Sequence, residues 1–119
     1  MNDEIYFYDA SALLQIPSAY FNGVAILTSV SVIKKLEEAK RQGNTRAEEY
    51  LQYFRYNGIL NADNQLICIH NSEGPTAEIE DAKWLDNTYY PDCIVFVTAD
   101  LSTALLAQTY FGSDSIKLI

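Results

Sequence analysis

Short apolar runs alternate along the chain with longer stretches in which apolar residues recur every three or four positions. The runs lie at about residues 4–8, 24–27, 66–69, 93–97 and 116–119. Such runs are typical of strands buried on both faces, whereas the recurrent spacing is typical of amphipathic helices. The pattern therefore predicts strands and helices that follow one another in turn.

Capping and breaking residues place the helices between these runs. One helix is predicted from about residue 30 to Gly43, and a second from Asn44 to Asn57. A third helix follows Thr76, and shorter helical turns follow the first and fourth apolar runs.

Strands that alternate with helices predict a parallel sheet covered on both faces. Right-handed crossovers leave few arrangements of such a sheet. We expect one α/β domain over residues 1–119, a three-layer α/β/α sandwich whose five-stranded parallel sheet has the order 3-2-1-4-5. Strands 1 and 4 are then neighbours at the switch point, where open α/β sheets bind ligands.

Acidic residues stand at the ends of these two strands. Asp9 follows the first apolar run and Asp100 follows the fourth. A third group, Glu78, Glu80 and Asp81, begins the helix before strand 4, and Asp81 is the best placed of the three. We therefore expect carboxylates that are distant in the sequence to meet in one crevice.

Converging carboxylates favour a divalent cation. Like charges raise one another's pKa, and a bound cation removes that conflict. Oxygen ligands without nearby His or Cys suit Mg²⁺ or Mn²⁺, which can activate water for attack on a phosphodiester. The structural alternatives are that Asp9 and Asp100 cap helices and that acids in a first turn complement the helix dipole.

Composition restricts the partners of the chain. The 119 residues carry a formal charge of −8, so the molecule as a whole repels nucleic acid and any such role needs a local exception. Five of the eight basic residues fall within residues 34–46 and form a candidate basic face. Tyrosines are numerous enough to stack on bases, although covering the edges of the core is the alternative.

Cysteine usage and hydropathy favour a cytoplasmic protein. Cys68 and Cys93 lie in apolar runs without CxxC spacing, which favours buried thiols over a disulfide or a metal site. Asp3 and Glu4 replace the basic start of a secretory signal, and no apolar stretch is long enough to span a membrane.

Three segments together resemble the PIN-domain nucleases. Residues 8–14, Tyr-Asp-Ala-Ser-Ala-Leu-Leu, match the opening motif of that family, residues 80–83 resemble its third acidic segment, and residues 96–102 resemble its fourth. The resemblance implies a metal-dependent endoribonuclease in which Asp9, Asp81 and Asp100 bind Mg²⁺ or Mn²⁺ and carry catalysis. Ser11 and Thr98 would support this site by hydrogen-bonding metal-bound water, and hydroxyls that bind the local backbone are the alternative.

The resemblance further implies partners. RNA would be the substrate, and candidate contacts to its backbone are Lys34, Lys40 and Arg41. Small members of this family are often toxins that pair with an antitoxin, and they often form homodimers. No membrane association is implied.

Two positions depart from the family pattern. Lys35 stands where the second acidic ligand belongs, and an ammonium cannot ligate a divalent cation. Glu38 lies on roughly the same helical face and could substitute as a catalytic acid, although Glu37 and Glu38 can also form a solvated face. Ala99 replaces an Asn. The alternative is therefore a catalytically degenerate RNA- or protein-binding module in which Lys35 pairs with Asp9 or Asp100.

Overall fold

A parallel sheet of three strands lies at the centre of the computed structural model, which describes residues 4–59 and 74–119. The strands are β1 (Ile5–Tyr8), β2 (Ile94–Thr98) and β3 (Ile116–Leu118), in the order β1-β2-β3. All five residues of β2 are buried. The helices are α1 (Ala10–Leu13), α2 (Val30–Arg41), α3 (Thr45–Asn57), α4 (Ala77–Thr88) and α5 (Leu101–Ala107).

The prediction of a five-stranded sheet in a three-layer sandwich with the order 3-2-1-4-5 was wrong. The described residues form an α/β fold with three parallel strands and five helices. Residues 24–27 contribute only an isolated bridge between Ile26 and Ile59. The Tyr53 hydroxyl donates to the Val24 carbonyl at 2.6 Å. This carbonyl is therefore bound by a side chain, whereas in a longer strand a neighbouring strand would bind it. The predicted strand at 66–69 lies outside the described residues.

The main hydrophobic core covers one face of the sheet. Phe7 on β1 and Phe96 on β2 are paired in register and stack with ring centroids 5.8 Å apart. Phe111, which follows α5, stacks on Phe96 from the other side at 6.2 Å. Buried side chains of α2, α3 and α4 complete this core.

The predicted helices over residues 30–43 and 44–57 are confirmed. The Asn44 side chain accepts a hydrogen bond from the Ala47 N–H at 3.1 Å and caps α3. Gly58 ends that helix with a φ of 79°, a conformation that glycine adopts without steric cost. Ser29 caps α2, and its side chain accepts a hydrogen bond from the Val32 N–H.

Helix α5 turns its small residues toward the protein. Ala104 and Ala107 are buried, whereas Leu101, Leu105 and Leu106 are exposed. The helix contacts both β2 and β3. Small side chains allow a helix to approach a sheet closely, which explains why alanines rather than leucines occupy the inner face.

A buried carboxylate fixes α4 against the central strand. Asp86 accepts a hydrogen bond from the Ile94 N–H at 3.3 Å and an ion-pair contact of the same length from Lys83. Since α4 begins beside the carboxyl ends of the strands, this anchor at its other end sets which α4 residues reach that edge. No helix in the part of the chain that the structure describes is long and apolar enough to cross a membrane.

Truncation of Phe96 tests the packing of the core. We expect Phe96→Ala to lower the free energy of unfolding by about 3–5 kcal/mol, because it removes a fully buried ring between two others. The exposed Leu105→Ala is the matched control, with an expected change within about 0.5 kcal/mol. Urea unfolding followed by circular dichroism measures both, and equal losses would contradict the packing described.

Candidate functional site

The candidate site lies at the carboxyl edge of the sheet, where β1 and β2 end side by side. The Asp9 N–H donates to the Val97 carbonyl at 3.0 Å and continues the pairing of the two strands by one step. Parallel strands end at the same edge, so this pairing brings Asp9 beside Thr98 although they are 89 residues apart in the sequence.

Asp9 is buried, with 1% of its surface exposed, and both carboxylate oxygens accept hydrogen bonds. Oδ1 accepts from the Ser11 hydroxyl at 2.7 Å and from the Ala12 N–H at 2.9 Å, which caps α1. Oδ2 accepts from the Thr98 hydroxyl at 2.6 Å. The side chain thus caps a helix and joins two strand ends.

The hydroxyls of Ser11 and Thr98 also contact each other at 3.0 Å. Each hydroxyl has one hydrogen, and an ionised Asp9 uses both of them. A protonated Asp9 supplies a third hydrogen, so that all three oxygen-to-oxygen contacts become hydrogen bonds. This geometry therefore accommodates the protonated acid at little cost.

Glu78 is the second acid at this edge. Its Oε2 accepts from the Ala10 N–H at 2.7 Å, directly after Asp9 in the chain. Its Oε1 lies 2.6 Å from the ammonium nitrogen of Lys35. The Glu78 side chain is 4% exposed, whereas that of Lys35 is 44% exposed. A buried carboxylate is thus paired with an ammonium group that reaches in from α2.

Burial governs the protonation of both acids. Burial raises the pKa of Asp9, and the hydrogen bonds from Thr98, Ser11 and Ala12 and the charge of Lys35 oppose this rise. Burial also raises the pKa of Glu78, the charge of Asp9 adds to the effect, and Lys35 counteracts it. The two carboxylates therefore repel each other, and Lys35 lowers the pKa of both.

Asp100 stands at the rim of the site. Its Oδ2 accepts from the Thr103 N–H at 2.9 Å and from the Thr103 hydroxyl at 2.7 Å, which caps α5. These hydrogen bonds lower the pKa of Asp100, and the charge of Lys35 acts in the same direction. The Asp100 side chain is exposed, while its backbone N–H donates to Thr98 at 3.1 Å.

The acid on α4 that contacts Lys35 and the chain after β1 is Glu78, although the sequence analysis preferred Asp81. Asp81 is buried as well but lies one turn further along α4. A helix rises about 1.5 Å per residue, so the acid nearest the start of α4 lies closest to the edge where the strands end. Glu78 and Glu80 both lie in the first turn of α4, so position in that turn narrows the choice but does not distinguish the two acids.

The remaining site candidates lie on the exposed surface of α2. Glu38 pairs with Arg41 at 2.9 Å and accepts from Gln42 at 3.2 Å, so it belongs to the solvated face. Lys34 and Lys40 are exposed on the same helix. Their exposure leaves them accessible to a phosphate backbone, whereas Arg41 is already paired.

The donor set does not fit the expected Mg²⁺ or Mn²⁺ ion as it is arranged. Among residues 4–59 and 74–119, no three His, Cys, Asp or Glu side chains form a group that could hold a metal. Both oxygens of Asp9 and both oxygens of Glu78 accept hydrogen bonds. The cation at Glu78 is the Lys35 ammonium, and a metal-binding arrangement would require that ammonium to leave.

Comparisons with models of protein families, with curated proteins and with solved structures found no match to this chain.

The pairing of Lys35 with Glu78 predicts a pH-dependent loss of stability on substitution. We expect Lys35→Met to lower the free energy of unfolding by about 1–3 kcal/mol at pH 7, because it leaves a buried carboxylate without its cation. The half-exposed lysine keeps the loss below that of a fully buried pair.

The direction in which stability changes with pH follows from the raised pKa of Glu78. The folded state binds more protons than the unfolded state between the two pKa values, so stability falls as pH rises through that interval. Without Lys35 the interval extends to higher pH, and the loss should nearly vanish at about pH 4, where Glu78 is protonated. Urea titrations at several pH values measure the loss of stability caused by Lys35→Met, with Lys34→Met as the control. A loss independent of pH would contradict the pairing.

The hydrogen bond from the Thr98 hydroxyl to Asp9 predicts a second effect on stability. We expect Thr98→Val to cost about 1–3 kcal/mol in the free energy of unfolding, because Asp9 Oδ2 loses its donor while the shape of the side chain is kept. Thr109→Val, on the exposed surface, is the control and should be nearly neutral. Thermal unfolding measures the midpoint of each variant. Equal midpoints for Thr98→Val and Thr109→Val would contradict the link between the two strand ends.

Proposed function

We propose that the protein is a catalytically degenerate PIN-like module that binds single-stranded RNA without cleaving it. The observation that carries this proposal is the 2.6 Å contact between Lys35 Nζ and Glu78 Oε1. In the nuclease family that the chain resembles, acids at this edge hold a divalent cation. Here an ammonium group fixed to the protein takes up that position among the acids.

A lysine ammonium differs from a divalent cation in the chemistry it provides. It carries a single charge, has no open coordination site and cannot lower the pKa of a bound water as a metal does. It can, however, reduce the repulsion between Asp9, Glu78 and an approaching phosphate. Binding of a phosphate backbone is therefore compatible with this edge, whereas metal-assisted hydrolysis is not supported by it.

Exposed basic side chains support RNA as the ligand. Lys34 and Lys40 are exposed on α2, and Lys35 is itself half-exposed, although the three side chains leave the helix in different directions. The overall charge of −8 means that binding must depend on this local group. Each such contact adds to affinity in a sequence-independent manner and adds to the salt dependence of binding.

A metal-dependent endoribonuclease is the second candidate. It is favoured by the charge of Lys35, which lowers the pKa of Asp9, Glu78 and Asp100 alike, so all three acids lie within electrostatic range of the point that its ammonium occupies. The half-exposed Lys35 side chain would have to swing outward to free that point for a cation.

A combined assay decides between these candidates. We expect the unmodified protein to retain a labelled single-stranded RNA in a gel-shift experiment and to leave it intact during incubation with Mg²⁺ or Mn²⁺. Cleavage by the unmodified protein that is lost in Asp9→Asn would instead establish the nuclease. Absence of RNA binding would reject both candidates.

Substitution of Lys35 by an acid should restore a metal site. We expect Mn²⁺, at about one hundred times its dissociation constant, to raise the Tm of Lys35→Glu by about 5–10 °C. The Tm of the unmodified protein should rise little under the same conditions. Lys34→Glu adds the same charge one residue away and is the control. An equal Mn²⁺ response in both variants would show that the gain is non-specific, and that the ammonium does not replace a metal.

A further inference from the structure

A cavity of about 370 Å³ lies on the face of the sheet opposite to the main core. Successive strand residues point to opposite faces, so Tyr6 and Tyr8 of β1 lie on this face while Phe7 faces the core. The segment that contains Ile16 and Tyr20, after α1, closes the cavity from one side. Its volume is at the lower end of the range of about 300–1,000 Å³ for ligand pockets, which suits a small planar group.

Tyrosine rings form the walls of this cavity. The rings of Tyr6 and Tyr8 have centroids 6.2 Å apart, and Tyr8 interacts electrostatically with both Tyr6 and Tyr20, so the three phenol groups lie near one another. Tyr20 is 69% exposed although it is a large aromatic residue. Exposed aromatic faces beside a cavity offer stacking surfaces to a planar ligand.

One positive charge stands at the cavity. The Lys117 ammonium lies over the Tyr6 ring, 5.9 Å from its centroid. Among the described residues that line the cavity, none is Asp or Glu. The Lys117 ammonium can therefore contact an anionic group of a ligand held in the cavity.

The strands that line the cavity end at the acidic edge of the sheet. Tyr8 immediately precedes Asp9, and Val97, which also lines the cavity, immediately precedes Thr98. The Ile119 N–H donates to the Thr98 carbonyl at 2.9 Å, which holds the end of β3 beside both features. A single strand that contacts both Lys35 and the cavity has to cross this edge, because α2 packs against the main core on the other face of the sheet.

We propose that this cavity, the tyrosine pocket, takes one nucleobase of single-stranded RNA, which stacks on Tyr20 while Lys117, lying over Tyr6, contacts a neighbouring phosphate. The proposal rests on the RNA-binding function proposed above and adds the place where a base is held. Stacking on tyrosine tolerates every base because each base has a π-face. The pocket thus provides affinity without strong sequence preference.

The phenol groups can add hydrogen bonds to the base. Burial raises the pKa of Tyr8, and the nearby Tyr20 and Tyr6 add to this rise, so its hydroxyl is a neutral donor at physiological pH. A neutral phenol both donates and accepts, which matches the mixed donor and acceptor edges of the bases.

Fluorescence anisotropy with a short labelled RNA oligonucleotide tests the pocket. We expect Tyr20→Ala to weaken binding about 5- to 150-fold, since it removes the stacking surface of one base. Tyr20→Trp should retain the affinity because it keeps an aromatic face. Tyr56→Ala, which removes a 77% exposed tyrosine of α3 away from the pocket, is the matched control and should change affinity less than twofold.

An abasic oligonucleotide of equal length separates the base from the phosphates. The unmodified protein should bind it about as weakly as Tyr20→Ala binds the intact RNA, and Tyr20→Ala should bind both oligonucleotides equally. Lys117→Gln should weaken binding to both and reduce the slope of log affinity against log salt by about one.

The outcomes distinguish the two proposals. Intact and abasic RNA bound equally by the unmodified protein, or an equal loss in Tyr56→Ala and Tyr20→Ala, would overturn the tyrosine pocket and leave RNA binding in place. If the unmodified protein binds neither oligonucleotide, the proposed function fails and the pocket fails with it.

Discussion

The site depends on the contact between a buried carboxylate and a lysine ammonium. Glu78 is enclosed by the fold, and Asp9, also buried, raises the pKa of Glu78 by its charge. A buried charge is costly unless it is paired and hydrogen-bonded. Lys35 supplies the opposite charge at 2.6 Å, and the Ala10 N–H binds the other oxygen of Glu78. These contacts hold α2, α4 and the end of β1 at one edge of the sheet.

The same contact shapes the proposed function. A metal ion can dissociate, exchange and accept a water or a phosphate oxygen as a ligand, whereas an ammonium on a side chain remains bound to its protein. In our proposal the edge thus keeps the electrostatic role of a cation but loses the Lewis acid chemistry. The tyrosine pocket adds an aromatic surface beside it, so that charge and stacking together would hold a single strand.

The local features of the fold could be predicted because they depend on nearby residues. The bounds of α2 and α3 follow from caps such as Ser29 and Asn44, which act within a few positions. The five-stranded sheet failed because pairing depends on distant partners, as the isolated bridge between Ile26 and Ile59 shows. The sequence analysis preferred Asp81 to Glu78 because sequence motifs do not show which turn of α4 lies beside the carboxyl edge of the sheet.

The sequence by itself determined that Asp9 and Asp100 follow apolar strands and stand where the next helices begin, and it offered capping as the alternative to metal binding, since capping needs only residues within one turn. It also predicted that Lys35 stands on a helix, and that helix is α2. Only the tertiary structure decided that Glu78 is the partner of this lysine, and that Thr98 binds Asp9. Those contacts join segments that lie far apart in the chain, and their geometry exists only once β1, β2, α2 and α4 have packed together.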